Sequence, residues 1–189
     1  GQASLEPNAI SCSAAMSACA KVTEWQRALA LLATMDWATS KPDAFSYSAT
    51  MSACEKGFVW QRALALFVAM PQACLELDAI SYNVVISAFE KGSAWQGALA
   101  LLSAMGQSAV EPDSNSYNAA VGACKRDAQW QVALELLGTM ERVVLGLDAI
   151  GYMAAIGACE SIAKRQKVVM LLSAMRRATL QRHQQHHRN

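Results

Sequence analysis

The sequence lacks the features that mark several common classes of protein. No uninterrupted apolar run approaches the ~18–20 residues of a membrane-spanning helix, although 53% of the 189 residues are hydrophobic. No segment alternates polar and apolar residues over a useful length, so we predict no β-strands. Charged residues make up only 16% and balance to +1, which argues against a polybasic protein held on nucleic acid mainly by phosphate contacts.

Signatures of catalysis and of metal binding are missing as well. The six cysteines include no CxxC pair, and no His-x-Glu accompanies them as in a zinc deaminase. We therefore predict no catalytic residue, no metal site and no cofactor. Three histidines stand in a polar C-terminal segment, where a solvated tail is favoured over a weak metal site: His183, His186 and His187.

What the sequence has in abundance is internal repetition. Tryptophan, tyrosine, methionine and aspartate each recur at steps of 35 residues without insertion, as in Trp25, Trp60, Trp95 and Trp130. A period of this length indicates a stacked array of small structural units. We place the repeats at 9–43, 44–78, 79–113, 114–148 and 149–183. The fifth is degenerate, residues 1–8 are the remnant of a preceding repeat, and 176–189 form a basic tail.

Each repeat has the pattern of two helices. In the second repeat, the apolar face of helix A follows the spacing i, i+3, i+4, i+7, and a second stripe from Trp60 to Met70 forms helix B. Gly57 is expected to end helix A by adopting a positive φ. The sequence thus predicts an all-α, right-handed solenoid of about five helix-turn-helix repeats.

The repeat resembles that of the pentatricopeptide repeat family. The resemblance covers about 175 residues and rests on the 35-residue period, on residues 79–83 opening helix A, on 98–102 in helix B and on Pro112-Asp113 closing the unit. Three features depart from the commonest pattern: Trp at the start of helix B, Cys12 in place of the helix A tyrosine, and Arg165 in place of Trp. The resemblance implies single-stranded RNA as the partner, with one nucleotide per repeat, in a plastid or mitochondrion.

The resemblance also assigns the residues that read bases. In the family these are the fifth and the last residue of each repeat, here Ser13 with Asp43, Ser48 with Asp78, Asn83 with Asp113, and Asn118 with Asp148. In the family's code Ser with Asp favours guanine and Asn with Asp favours uracil, so the expected preference is near 5′-GGUU-3′. A competing interpretation makes each aspartate a helix N-cap.

Two further sets of side chains are implied to contact RNA. The second residue of each repeat packs on base faces in the family, which here gives Ile10, Phe45, Ile80, Asn115 and Ile150. The thirteenth residue is a cation in four repeats and is expected to contact phosphate, or else to complement the C-terminus of its helix: Lys21, Lys56, Lys91 and Arg126.

The expected role is RNA processing, stabilisation or translation in an organelle, by occupancy of a transcript and without catalysis. Two alternatives stay open: a tetratricopeptide-like protein-binding scaffold, or an assembly subunit that contacts organellar RNA-processing or ribosomal proteins. The charge distribution bears on the mechanism. Residues 1–175 hold 12 basic and 15 acidic residues, a balance of −3, and the tail holds four arginines. Phosphate-driven affinity is therefore expected to be weak.

Overall fold

The computed structural model describes residues 9–37 and 41–142, with four isolated helical residues between 166 and 173. The two long ranges contain eight helices of 13 residues each, and no strand occurs in them: α1 Ala9–Lys21, α2 Trp25–Trp37, α3 Ala44–Lys56, α4 Trp60–Gln72, α5 Ala79–Lys91, α6 Trp95–Gln107, α7 Ser114–Arg126 and α8 Trp130–Arg142. The prediction of an all-α repeat solenoid is confirmed. Residues 1–8, the predicted tail and most of the predicted fifth repeat lie outside the described residues.

The helices form two rows. Consecutive A helices (α1, α3, α5 and α7) pack directly on one another, and each B helix (α2, α4, α6 and α8) packs on the A helix before it. The first three B helices also pack on the next A helix along the chain. Among the described helices, no B helix packs its backbone directly on the next B helix. The A helices are therefore the closely spaced inner row, and the B helices are splayed apart outside it.

Apolar side chains at recurring positions of the repeats form the core between the rows. Met51 in α3 and Met70 in α4 are completely buried, and so is Ala63. Equivalent methionines at 16, 105 and 140 are buried equally, and the one at 35 almost so. Ala53, Ala88 and Ala123 are also fully buried and leave room for adjacent A helices to approach closely. A single hairpin could not bury these stripes, so stability arises at the contacts between neighbouring repeats.

The prediction that Gly57 ends its helix by adopting a positive φ is wrong. Gly57 has φ −80°, and the residue in the left-handed region is the next one, Phe58, with φ 58°. Glycine is required at 57 for space, because a Cβ there would lie 3.1 Å from Cγ of Trp25 and closer still to Cδ1. Gly92 has the same relation to Trp60. The tryptophan of one repeat thus packs beneath the A–B turn of the next.

The helices are short for a membrane protein. At a rise of ~1.5 Å per residue, 13 residues span about 20 Å, less than a bilayer core. Within the described ranges, no helix has the length and apolar character that crossing a membrane requires.

Candidate RNA-binding surface

The repeat-closing aspartates are helix N-caps. Asp43, Asp78 and Asp113 precede α3, α5 and α7 with extended backbone, and Oδ1 of each accepts a 2.8 Å hydrogen bond from the backbone N–H three residues later. Such a cap stabilises a helix by roughly 1 kcal/mol. The capping bonds engage only Oδ1, so Oδ2 takes no part in them. The cap therefore leaves half of each carboxylate for another partner.

A serine three residues after each aspartate completes the cap. Ser46, Ser81 and Ser116 are buried, and their hydroxyls lie 2.7–2.9 Å from the same Oδ1 atom. Sequence reasoning missed these serines, although the Asp-x-x-Ser spacing, repeated every 35 residues, was visible in the sequence. Their role is to hold the carboxylate in one orientation at the entrance of each A helix.

The third repeat shows how the predicted pair of residues comes together. The side-chain amide of Asn83 donates to both carboxylate oxygens of Asp113, at 3.2 and 3.3 Å. The hydroxyl of Ser116 lies 2.5 Å from Oδ1 of Asn83. A carboxylate, an amide and a hydroxyl from two adjacent repeats therefore form one cluster. Such a cluster can present donors and acceptors to the polar edge of a base.

The other pairs are brought together to different extents. Ser13 lies beside the next repeat's cap, with its hydroxyl 3.3 Å from that of Ser46, and it lines the same depression as Asp43. Ser48 and Asp78 share the adjoining depression. Asn118 is half-buried on α7, whereas its expected partner Asp148 lies outside the described residues.

The two depressions form a continuous groove on the A helices, which we call the A groove. Each has a volume of about 460–580 Å³, within the range of small-ligand sites. Phe45 and Ile80 line it although they are 58% and 62% exposed, so their apolar faces are available to a ligand. Its polar lining consists of Ser13, Ser17, Lys21, Asp43, Ser48, Ser52, Lys56 and Asp78.

The structure does not place the other predicted stacking residues in the A groove. Asn115 is exposed, and its amide lies 3.4 Å from Oδ2 of Asp113. The side chain of Ile10 and the whole of Ile150 lie outside the described parts of the chain. Phe45 and Ile80 are therefore the members of this set that the structure places in the A groove.

The four cations end the four A helices. Lys21 and Lys56 line the A groove. Lys91 instead forms an ion pair with Glu55 of the preceding repeat, with 2.8 Å between Nζ and Oε1. Arg126 is exposed at the end of α7. Each cation is the last residue of its helix, which is the position that the alternative interpretation, a charge complementing the helix C-terminus, requires.

The caps also fix the charge of two aspartates. Hydrogen bonding by the Ser46 hydroxyl holds the pKa of Asp43 below its ordinary value of 3.8. Burial raises the pKa of Asp113, but hydrogen bonds from the Ser116 backbone and hydroxyl and from Asn83 outweigh burial, so that its pKa is also lowered. Both side chains are carboxylates at neutral pH and act there only as acceptors.

Groups suited to metal binding are not clustered in the part of the chain that the structure describes. No three side chains of His, Cys, Asp or Glu come together there in a way that could hold an ion. Cys54 and Cys124 are buried thiols, and burial raises the pKa of each to about 11. These thiols are therefore protonated core residues.

Comparison with known proteins identifies the repeat. Residues 80–109, which cover almost all of α5 and α6, match the family model described as "PPR repeat". No curated protein matches the chain at a significant level.

Solved structures share the fold. The pentatricopeptide repeat protein PPR10 from maize is 22% identical with a TM-score of 0.76, over 93% of this chain and 26% of that one. The same protein in complex with an 18-nt psaJ RNA element is 23% identical with a TM-score of 0.73. That match covers 85% of this chain and 23% of the maize chain. The PPR domain of Arabidopsis thaliana protein-only RNase P 1, in complex with tRNA, is 14% identical with a TM-score of 0.70. That match covers 92% of this chain and 95% of the domain. This chain thus spans about a quarter of the maize protein.

Proposed function

We propose that this chain binds single-stranded RNA along the A groove, with one base per repeat, because its third repeat matches the family model described as "PPR repeat" and its fold is that of solved pentatricopeptide repeat structures. Two observations carry the proposal: the cluster of Asn83, Asp113 and Ser116, which presents hydrogen-bonding groups from two adjacent repeats, and the exposed apolar side chains of Phe45 and Ile80 in the A groove. Structures of the same fold are complexes with RNA, namely the maize protein with an 18-nt element and the Arabidopsis domain with tRNA. Both findings support an RNA ligand.

We further propose a preference near 5′-GGUU-3′ and a role in organellar RNA processing, stabilisation or translation. A serine at the fifth position offers a short hydroxyl and leaves room for a purine, whereas asparagine fills that space with a flat amide. Stacking on the ring of Phe45 contributes about 1–3 kcal/mol without selecting one base over another, and Ile80 offers an apolar surface to the adjacent base. Affinity then arises from stacking, and selectivity from the polar pairs.

The test exchanges the fifth residue between two repeats of this chain. Asn83→Ser gives the third repeat the polar pair of the second, and Ser48→Asn does the reverse. We expect the first variant to prefer 5′-GGGU-3′ and the second 5′-GUUU-3′. Each mismatched base is expected to cost about 1–3 kcal/mol, or roughly 5- to 150-fold in Kd.

The measurement is fluorescence anisotropy with the three RNAs and a scrambled control at one salt concentration. Each variant serves as the other's control, because both keep the fold and the cap serines. Binding to all RNAs with one affinity would contradict base reading but keep RNA binding. Absence of binding to every RNA would contradict the proposed function itself.

A further inference from the structure

The cations at the ends of the A helices occupy equivalent positions but have different neighbours. Nζ of Lys91 lies 2.8 Å from Oε1 of Glu55, and the two side chains are only 29% and 14% exposed. The hydroxyl of Ser87 donates to the same carboxylate oxygen at 3.0 Å. Glu55 is therefore held by two groups of the next repeat. A partly buried pair with this additional hydrogen bond resists competition by a solvated phosphate.

Lys56 has no such neighbour because of one residue in the first repeat. The position of Glu55 is the twelfth of its repeat, and in the first repeat that position is Ala20. Within the two long described ranges, neither Lys21 nor Lys56 forms an ion pair. Both lysines belong to the lining of the A groove, together with Phe45. Their charge is thus available to a ligand in that groove.

The environment of Arg126 lies between that of the paired Lys91 and that of the unpaired Lys56. The twelfth residue of the preceding repeat is Glu90, and Arg126 lies near enough for its charge to act on that carboxyl. Burial raises the pKa of Glu90, and the charges of Arg126 and Lys91 act against this increase. Arg126 and Glu90 form no close ion pair, and Arg126 is exposed. Both Lys91 and Arg126 thus follow a glutamate at position twelve of the preceding repeat, but only Lys91 forms a close ion pair with it.

We propose that contact with the RNA backbone is concentrated on Lys21 and Lys56, and that Glu55 acts as a positioning residue that withholds Lys91 from phosphate. This inference rests on the proposed function. It divides the array into an N-terminal part whose helix-ending lysines are available to phosphate and a third repeat whose helix-ending lysine is paired. Lys56 is available because Ala20 stands where the second and third repeats have Glu55 and Glu90.

The experiment measures Kd for a GGUU-containing RNA from about 50 to about 200 mM salt. For single strands each phosphate contact changes the slope of log K against log salt by about 0.7, which is about 2.6-fold in affinity over this range. We expect Lys56→Gln to reduce the slope by that amount and Lys91→Gln to leave it unchanged. Glu55→Gln should increase the slope by about 0.7, because it releases Lys91.

A second readout needs no RNA. Lys91→Gln leaves the Glu55 carboxylate without its cation and should lower the urea midpoint of unfolding, whereas Lys56→Gln should leave the midpoint unchanged. Equal slopes for Lys56→Gln and Lys91→Gln, or no effect of Glu55→Gln, would overturn the inference while RNA binding stands. Failure of the unaltered protein to bind any RNA would instead overturn the proposed function.

Discussion

Replacing Gly92 by alanine tests how neighbouring repeats are joined. A Cβ at this position would lie 3.0 Å from both Cγ and Nε1 of Trp60, and closer still to Cδ1. The indole must therefore move, and its ring also contacts Phe89 at a centroid distance of 5.1 Å. Overpacking of this kind costs about 1–3 kcal/mol.

The net effect is smaller than the cost of overpacking. Gly92 has φ −87°, a conformation that alanine adopts without strain. Because alanine also reduces the conformational freedom of the unfolded chain, the substitution stabilises the folded state by about 0.4–1 kcal/mol. We expect Gly92→Ala to lower the free energy of unfolding by about 1–2 kcal/mol. The assay is urea denaturation monitored by far-ultraviolet circular dichroism, which reports the loss of helix.

Gly106→Ala is the matched control. This glycine lies near the end of α6, and a Cβ there would have no neighbour within 4 Å. Alanine should stabilise the helix by about 0.5–1 kcal/mol. In a Trp60→Leu background the penalty of Gly92→Ala should largely disappear. If Gly92→Ala stabilises the protein as Gly106→Ala does, Trp60 does not occupy the position described and the account of the junction is wrong.

Two other predictions concern the turns and the pH dependence of stability. Phe58 is 62% exposed with φ 58°, so Phe58→Gly should remove roughly 1–2 kcal/mol of backbone strain. Glycine's greater freedom in the unfolded chain offsets about 0.4–1 kcal/mol of this gain, so the free energy of unfolding should rise by about 0.5–1 kcal/mol in the same denaturation assay; a decrease would mean that the ring has a packing role. The raised pKa of Glu90 predicts stability that is complete below the ordinary value of 4.5 and declines as pH rises through the folded-state pKa. Glu90→Gln should flatten this part of the profile of urea midpoint against pH, and an unchanged slope would refute the assignment. The lowered pKa values of Asp43 and Asp113 act oppositely, with stability lost as pH falls below 3.8.

The sequence predicted the helices well because the repeat imposes one pattern several times. Tyr47, Met51 and Cys54 were placed on one buried face of α3 by spacing alone, and all three are buried. Gly57 was interpreted wrongly because glycine has two uses, and only the position of Trp25 distinguishes a steric requirement from a positive φ. Trp25, 32 positions before Gly57 in the chain, is therefore the reason why glycine is required there.

Contacts between repeats account for the rest of what the sequence left open. The cap serines such as Ser116 act together with a side chain of the preceding repeat, and Lys91 is paired with a glutamate 36 positions before it. Helical spacing within one repeat contains no information about either contact. Aligning the repeats as a grid, with the twelfth position beside the thirteenth of the next, would have suggested the ion pair. The same alignment places Ala20 beside Lys56, and the geometry was needed to show that Arg126 forms no close ion pair with Glu90.

The cap serines limit how such arrays can be rearranged by recombination. A repeat carries its own fifth residue and closing aspartate, but the hydroxyl that holds the two in register belongs to the next repeat along the chain, as Ser116 does for Asn83 and Asp113. The residue equivalent to Ser116 in the fifth repeat is Gly151, which has no hydroxyl. A copy of the fourth repeat inserted ahead of the third would have Ser81 in that place, and would gain a hydrogen-bonding group that its present successor cannot offer. The order of the repeats in this chain therefore matters, because the fifth residue and the closing aspartate of a repeat are held differently depending on the repeat that follows.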